Sequence, residues 1–202
     1  MQIFKKIPLI ITLLSSLTLF SQAYAEIKVV ASIKPIHSLA SYLMDGVKKP
    51  DLIVDGYASP HGFAMKPSHA KMLQEADIIF WVGEDLENFL VKPLGSIAKK
   101  AEKIELMEIR GLNKFKFRER NIFDGHDDHG HKEDDHDHDK EGHKEDGHDD
   151  HGHEGHAHGE FDPHIWLDPM NAKKILKEMA KHLIENDQAN ESIYKENLKK
   201  AN

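Results

Sequence analysis

The chain is 202 residues long, carries a formal net charge of −8 and contains no cysteine. Thiol chemistry and disulfide stapling are therefore excluded, and the fold must rest on its core alone. The charge is concentrated: residues 124–160 hold fifteen Asp/Glu against three Lys, −12 by themselves, so the rest is close to neutral and lacks the basic stripe that nucleic acid requires.

The first 25 residues have the order of a secretory signal peptide. Lys5 and Lys6 precede the apolar run "IPLIITLLSSLTLF", and "AYA" supplies small residues before Glu26. Cleavage after Ala25 is expected, giving an exported, periplasmic chain that begins "EIKVVASIKP". Without a cysteine at the cleavage point no N-terminal lipid anchor is expected, and no later stretch reaches membrane-spanning length.

Strand and helix signals then alternate. "EIKVVASI" is rich in β-branched residues and predicts a strand. "KPIHSLASYLMDG" predicts a helix, with Ile36, Leu39, Ala40 and Leu43 at helical spacing and Gly46 as its stop. "DLIVDG" predicts a short strand, and the loop "YASPHGFAMKPS" follows it. "HAKMLQEA" predicts a helix capped by Ser68, "DIIFWVG" a buried strand, "LENFLVKPLGSIAKKA" a helix interrupted at Pro93, and "KIELME" a fourth strand. Such alternation predicts an α/β fold, with a parallel sheet of about four strands flanked by helices on both faces. Binding groups in such sheets come from loops at the carboxyl ends of the strands, which is where His61 would stand.

Residues 124–160 break this pattern. The segment has no large apolar residue and predicts a disordered loop. It holds eleven of the sixteen histidines: His126, His129, His131, His136, His138, His143, His148, His151, His153, His156 and His158. Imidazoles among carboxylates are ligands for zinc, copper or nickel. Their many equivalent H-x-H and H-x-x-H spacings predict several weak, exchanging auxiliary sites that collect metal. The near-repeats "DGHDDHGH" at 124–131 and "DGHDDHGH" resuming at 146 point to duplication in the segment.

Ordered chemistry resumes at "FDPHIWLDP". His164 follows Pro163 and precedes an apolar, β-like Ile-Trp-Leu, with Trp166 placed to shield a site from water. "MNAKKILKEMAKHLIEN" predicts an amphipathic helix with Ile175, Leu176, Met179 and Leu183 on its apolar face. "ANESIYKENLKKAN" opens another helix, and the chain is expected to be truncated within it. His61, between Pro60 and Gly62, and His164 are the two candidate metal ligands. Taken singly, each has a plainer alternative, an exposed loop histidine and a core histidine. His37 and His69 are expected to pack or cap, and His182, beside Lys181, to be solvated. No H-E-x-x-H, G-x-S-x-G or phosphate-binding glycine loop is present, so no enzymatic activity is expected.

In combination, "VVASIKPIHSLA", "DGYASPHGFAMKPSHAKMLQEADIIFWVGEDLENFL" and "DPHIWLDPMNA" resemble the periplasmic zinc-binding protein of a high-affinity zinc ABC importer, in the zinc/manganese class of solute-binding proteins. The resemblance covers essentially the whole exported chain, and a His/Asp/Glu-rich loop is typical of the zinc members. It implies residues 26–123 and 161–186 as one α/β lobe, interrupted by the loop 124–160, and residues 187–202 as the start of an inter-lobe helix, with the second lobe absent. It implies His61 and His164 as the first lobe's ligands, with water or loop histidines completing a tetrahedral ion. Zn2+ is the implied cargo, with Mn2+ disfavoured because imidazole suits zinc and carboxylates suit manganese. The implied partner is the importer's membrane permease, for a chain expected to be monomeric. The competing reading is a periplasmic zinc, copper or nickel buffer or chaperone that needs only the loop; a third is a non-functional fragment of the importer protein. Ligation by neutral imidazole predicts binding that weakens as pH falls through about 6.5.

Overall fold

The computed structural model describes residues 26–117 and 159–201. Residues 1–25, expected to be a signal peptide, and all eleven histidines of the histidine-rich segment lie outside these residues.

Among the described residues four strands form one sheet: β1 (Val29–Ile33), β2 (Asp51–Val54), β3 (Ile78–Trp81) and β4 (Glu102–Glu105). Their order is β2-β1-β3-β4 and every pairing is parallel. Val30 registers with Asp51 on one side and Ile79 on the other. Every residue of β1 and β3 is buried, as a strand covered on both faces requires. Among the described residues five helices accompany the sheet: α1 (Lys34–Leu43), α2 (Pro67–Glu75), α3 (Glu84–Ser96), α4 (Pro169–Asn186) and α5 (Glu191–Ala201). The chain steps from β1 leftward to β2 and then rightward to β3 and β4. Right-handed crossovers therefore send α1 to one face and α2 and α3 to the other. α4 and α5 pack on each other and on α1, and α2 packs on α3.

Local chemistry sets the helix ends. Proline stands in the first turn of α1, α2 and α4, where its missing N–H costs nothing. Asp168 caps α4, its Oδ1 accepting the Met170 N–H at 2.7 Å. α1 ends at Leu43, and Gly46 turns the chain at φ +86°, a left-handed conformation that suits glycine. Asn197 of α5 ties off that end by donating to the carbonyls of Leu43 at 3.0 Å and Asp45 at 2.8 Å. The predicted faces are the buried ones: Ile36, Ala40 and Leu43 in α1, and Ile175, Leu176, Met179 and Leu183 in α4. Each of these Ile, Leu and Met side chains contributes about 1.5–3 kcal/mol on burial.

Three local expectations are corrected. Ser68 does not cap α2: Pro67 occupies the first helical position, Lys66 is the N-cap residue, and His69 Nδ1 accepts the Lys66 N–H at 3.1 Å. α3 is not interrupted at Pro93 but runs through it; its break is at Glu87 (φ −123°, ψ 49°). The buried Glu87 carboxylate turns back to accept the N–H groups of Val82 at 2.7 Å and Gly83 at 3.0 Å. The fourth strand ends at Glu105, and Leu106–Glu108 continue as a 3-10 turn.

Candidate metal centre

The carboxyl ends of β1 and β2 open into a cavity of about 270 Å³. Ile33 and Lys34 line it from the end of β1, Val54 from the end of β2, and Pro60, His61, His164 and Trp166 close it. His61 sits in a 3-10 turn, Pro60–Gly62, whose start is capped by Ser59 Oγ accepting the His61 N–H at 3.3 Å. Just beyond the turn, Phe63 packs between the rings of His69 of α2, at 5.3 Å, and Phe89 of α3, at 5.1 Å. This anchors the turn and leaves the His61 side chain exposed at the cavity.

His164 arrives from a different part of the chain. Its segment is stitched to residues 113–116: Lys116 and Phe161 form an antiparallel bridge, and the Asp162 N–H donates to the Phe115 carbonyl at 2.8 Å. The fully buried Asn171, in the first turn of α4, accepts the Asn113 N–H at 2.8 Å and donates to the Asn113 carbonyl at 2.9 Å. Asn113 Nδ2 in turn donates to Asp168 Oδ2 at 2.9 Å. The residues after Pro163 do not run as a β-like strand. Ile165–Leu167 form a 3-10 turn, because Pro163 leads directly into the capped start of α4. This turn buries Ile165, exposes Leu167, and lays the Trp166 ring 5.2 Å from the His164 ring.

The two candidate ligands meet. The imidazole centroids of His61 and His164 are 6.0 Å apart, tilted by 48°, a separation within reach of two nitrogens that each stand about 2.0–2.1 Å from a shared zinc. His164 Nδ1 is 2.6 Å from Asp162 Oδ1, which also accepts the His164 backbone N–H at 2.9 Å. With its Nδ1–H donated to Asp162, the neutral ring keeps the Nε2 lone pair for a cation. Desolvation raises the Asp162 carboxyl, but the two His164 hydrogen bonds and the imidazole outweigh it and hold the group below its ordinary value. Asp162 was not a candidate on sequence; the signal was available, since an Asp two residues before an ordered position is the pattern of an Asx-turn. The Lys34 ammonium is engaged at the cavity wall by the Gly56 carbonyl and lies 5.6 Å from the Tyr57 ring centroid.

The other histidines divide. His37 Nε2 donates to the Pro50 carbonyl at 2.9 Å, and His69 is buried against Phe63, so both have the packing or capping roles expected of them. His182 corrects its expectation. It is not solvated: its side chain is 15% exposed and lies among Glu102, Glu178 and Glu185. Glu102 comes from β4, remote in sequence, so no local pattern announces the pairing.

A family model described as ZnuA, the periplasmic component A of the zinc-uptake complex, matches residues 29–202. The high-affinity zinc uptake system protein ZnuA of Brucella abortus (strain 2308) is 49% identical over 175 residues, 85% of this chain and 52% of that protein. Its counterpart from Yersinia pestis is 32% identical over 176 residues, 87% of this chain and 52% of that protein. The chain thus spans about half the length of the curated relatives it matches. Among solved structures, a Mn-bound periplasmic metal binding protein from candidatus liberibacter asiaticus aligns at TM-score 0.61 and 19% identity, over 86% of this chain and 51% of that one. The metal-dependent lipoprotein YcdH of Bacillus subtilis aligns at TM-score 0.59 and 19% identity, over 86% and 50%. Both share its fold.

Proposed function

This chain belongs to the ZnuA family of periplasmic zinc-uptake components, and on that premise we propose that it captures zinc in the periplasm at His61 and His164 and passes it to the membrane permease of a zinc ABC importer. The observation that carries this reading is the convergence of the two imidazoles. Loops from opposite sides of the histidine-rich segment bring them to one cavity, 6.0 Å apart, with His164 oriented by Asp162. Two imidazoles leave two positions of a tetrahedral ion for water or further donors. An imidazole pair favours zinc over manganese. Residues 26–123 and 161–186 act as one lobe, residues 124–160 as a metal collector inserted in it, and residues 187–202 as the opening of an inter-lobe helix. The collector raises the local zinc concentration beside the cavity by tethering. Zinc is cargo here and no catalysis is involved.

A competition titration against a chromophoric zinc chelator tests the assignment. His61→Ala and His164→Ala should each remove the tight phase and leave the weak phase of the histidine-rich segment. A tight phase that keeps its full affinity and stoichiometry in the double variant overturns it.

A further inference from the structure

The parallel sheet has a second end, away from the cavity, and a histidine is held there too. Glu102 opens β4 at its amino end, while His182 and Glu185 project from the last turns of α4. His182 Nδ1 lies 2.8 Å from Glu102 Oε1 and 3.7 Å from Glu185 Oε2. All three ligand atoms are within 4.8 Å of one another.

The hydrogen-bonding pattern is what makes the group unusual. His182 Nε2 donates to Glu178 Oε1 at 3.1 Å, and the same carboxylate oxygen accepts from Lys181 Nζ at 2.9 Å. A neutral imidazole that gives its Nε2–H to a carboxylate carries a lone pair on Nδ1. That Nδ1 is shut off from solvent and makes no hydrogen bond, although a carboxylate oxygen stands 2.8 Å from it. Two lone-pair atoms at that separation repel each other unless a metal ion or a proton stands between them. Glu102 is not free to swing away, because its Oε2 accepts from Asn186 Nδ2 at 2.7 Å.

We propose that Glu102 Oε1, His182 Nδ1 and Glu185 Oε2 form a second divalent-cation site, of the zinc type, at the end of the sheet opposite the cavity. Ligand atoms on one tetrahedral zinc stand roughly 3.4 Å apart; the separations of 2.8 Å and 3.7 Å bracket that value, so the site closes with small side-chain movements. One imidazole and two carboxylates are a zinc donor set with a fourth position open to water. Glu178 and Asn186 play the outer part, fixing the imidazole tautomer and the carboxylate orientation. A cation here fastens the end of α4 to the start of β4, just before the chain turns into α5.

The test uses the full chain carrying His61→Ala and His164→Ala, so its result is independent of the cavity. Zinc is added while the ring nitrogens of His182 are followed by NMR. The expected result is a shift of His182 Nδ1 to the position of a metal-bound nitrogen, with Nε2 still carrying its proton. Adding Glu185→Gln, an exposed change that leaves the fold intact, should abolish the shift. Full retention of the shift in that variant, or a His182 Nδ1 that stays proton-bearing in excess zinc, overturns the proposal; in the latter case the cluster is an imidazolium held by carboxylates.

Discussion

His164 and Asp162 are joined twice, through the ring Nδ1 at 2.6 Å and through the backbone N–H at 2.9 Å, both to one carboxylate oxygen. The carboxylate therefore sets both the rotation of the imidazole and its tautomer. Asp162→Asn should weaken zinc binding about 10–100-fold, as loss of an outer-shell partner does at other metal sites, while circular dichroism stays unchanged. Chelator competition measures it; an unaltered affinity would show that the ring is oriented by packing alone.

Trp166 lies against the His164 ring, whereas Trp81, the other tryptophan, is sealed in the core. Zinc arriving at His164 should alter the emission of Trp166 and leave that of Trp81 alone. A fluorescence titration of wild type and Trp166→Phe checks this: the zinc-dependent change should vanish in the variant.

Asn171 supplies both polar partners of the Asn113 backbone. Asn171→Ala removes two hydrogen bonds to the exposed Asn113 backbone, which water can replace in part, and should cost about 0.5–1.5 kcal/mol per bond. Urea unfolding measures that loss. Because the same bonds hold the His164 segment to residues 113–116, zinc affinity should fall with stability.

Burial pushes the Glu87 carboxyl up to about 7, against the pull of the Ser32 hydroxyl and the N–H groups of Gly83 and Val82. A carboxyl raised in the folded state from 4.5 binds more protons folded than unfolded. Its contribution is therefore complete below about pH 4.5 and is lost as pH rises through about 7. The loss is on the order of 3 kcal/mol. Unfolding titrations between pH 5 and 8 should show that decline in wild type and a flatter profile in Glu87→Gln.

The sheet was legible because β1 and β3 are nearly continuous apolar runs, and α1 and α4 because their apolar residues keep helical spacing. His61 and His164 were legible as candidates because proline and flanking turn chemistry set them apart from the histidine-rich segment. What escaped depends on partners that lie elsewhere. Ser68 has the composition of a cap, yet Pro67 takes the first helical position and His69 reaches back to Lys66. Glu87 breaks α3 because its carboxylate is drawn to the end of β3, which helical spacing cannot indicate. His182 looked solvated beside Lys181, and only the packing of α4 onto the sheet brings Glu102 to it.

The bridge between Lys116 and Phe161 has a further meaning for how this protein can vary over generations. It clasps the two ends of the histidine-rich segment at one point, so the length between them is geometrically separate from the lobe on either side. Closing a longer loop becomes dearer only slowly, by about 0.6 kcal/mol for each doubling. The near-repeated "DGHDDHGH" units can thus be gained or lost through copying errors without moving His61 relative to His164. On the proposed reading of that segment as a metal collector, its capacity is left open to drift and selection, while the geometry of the cavity is not.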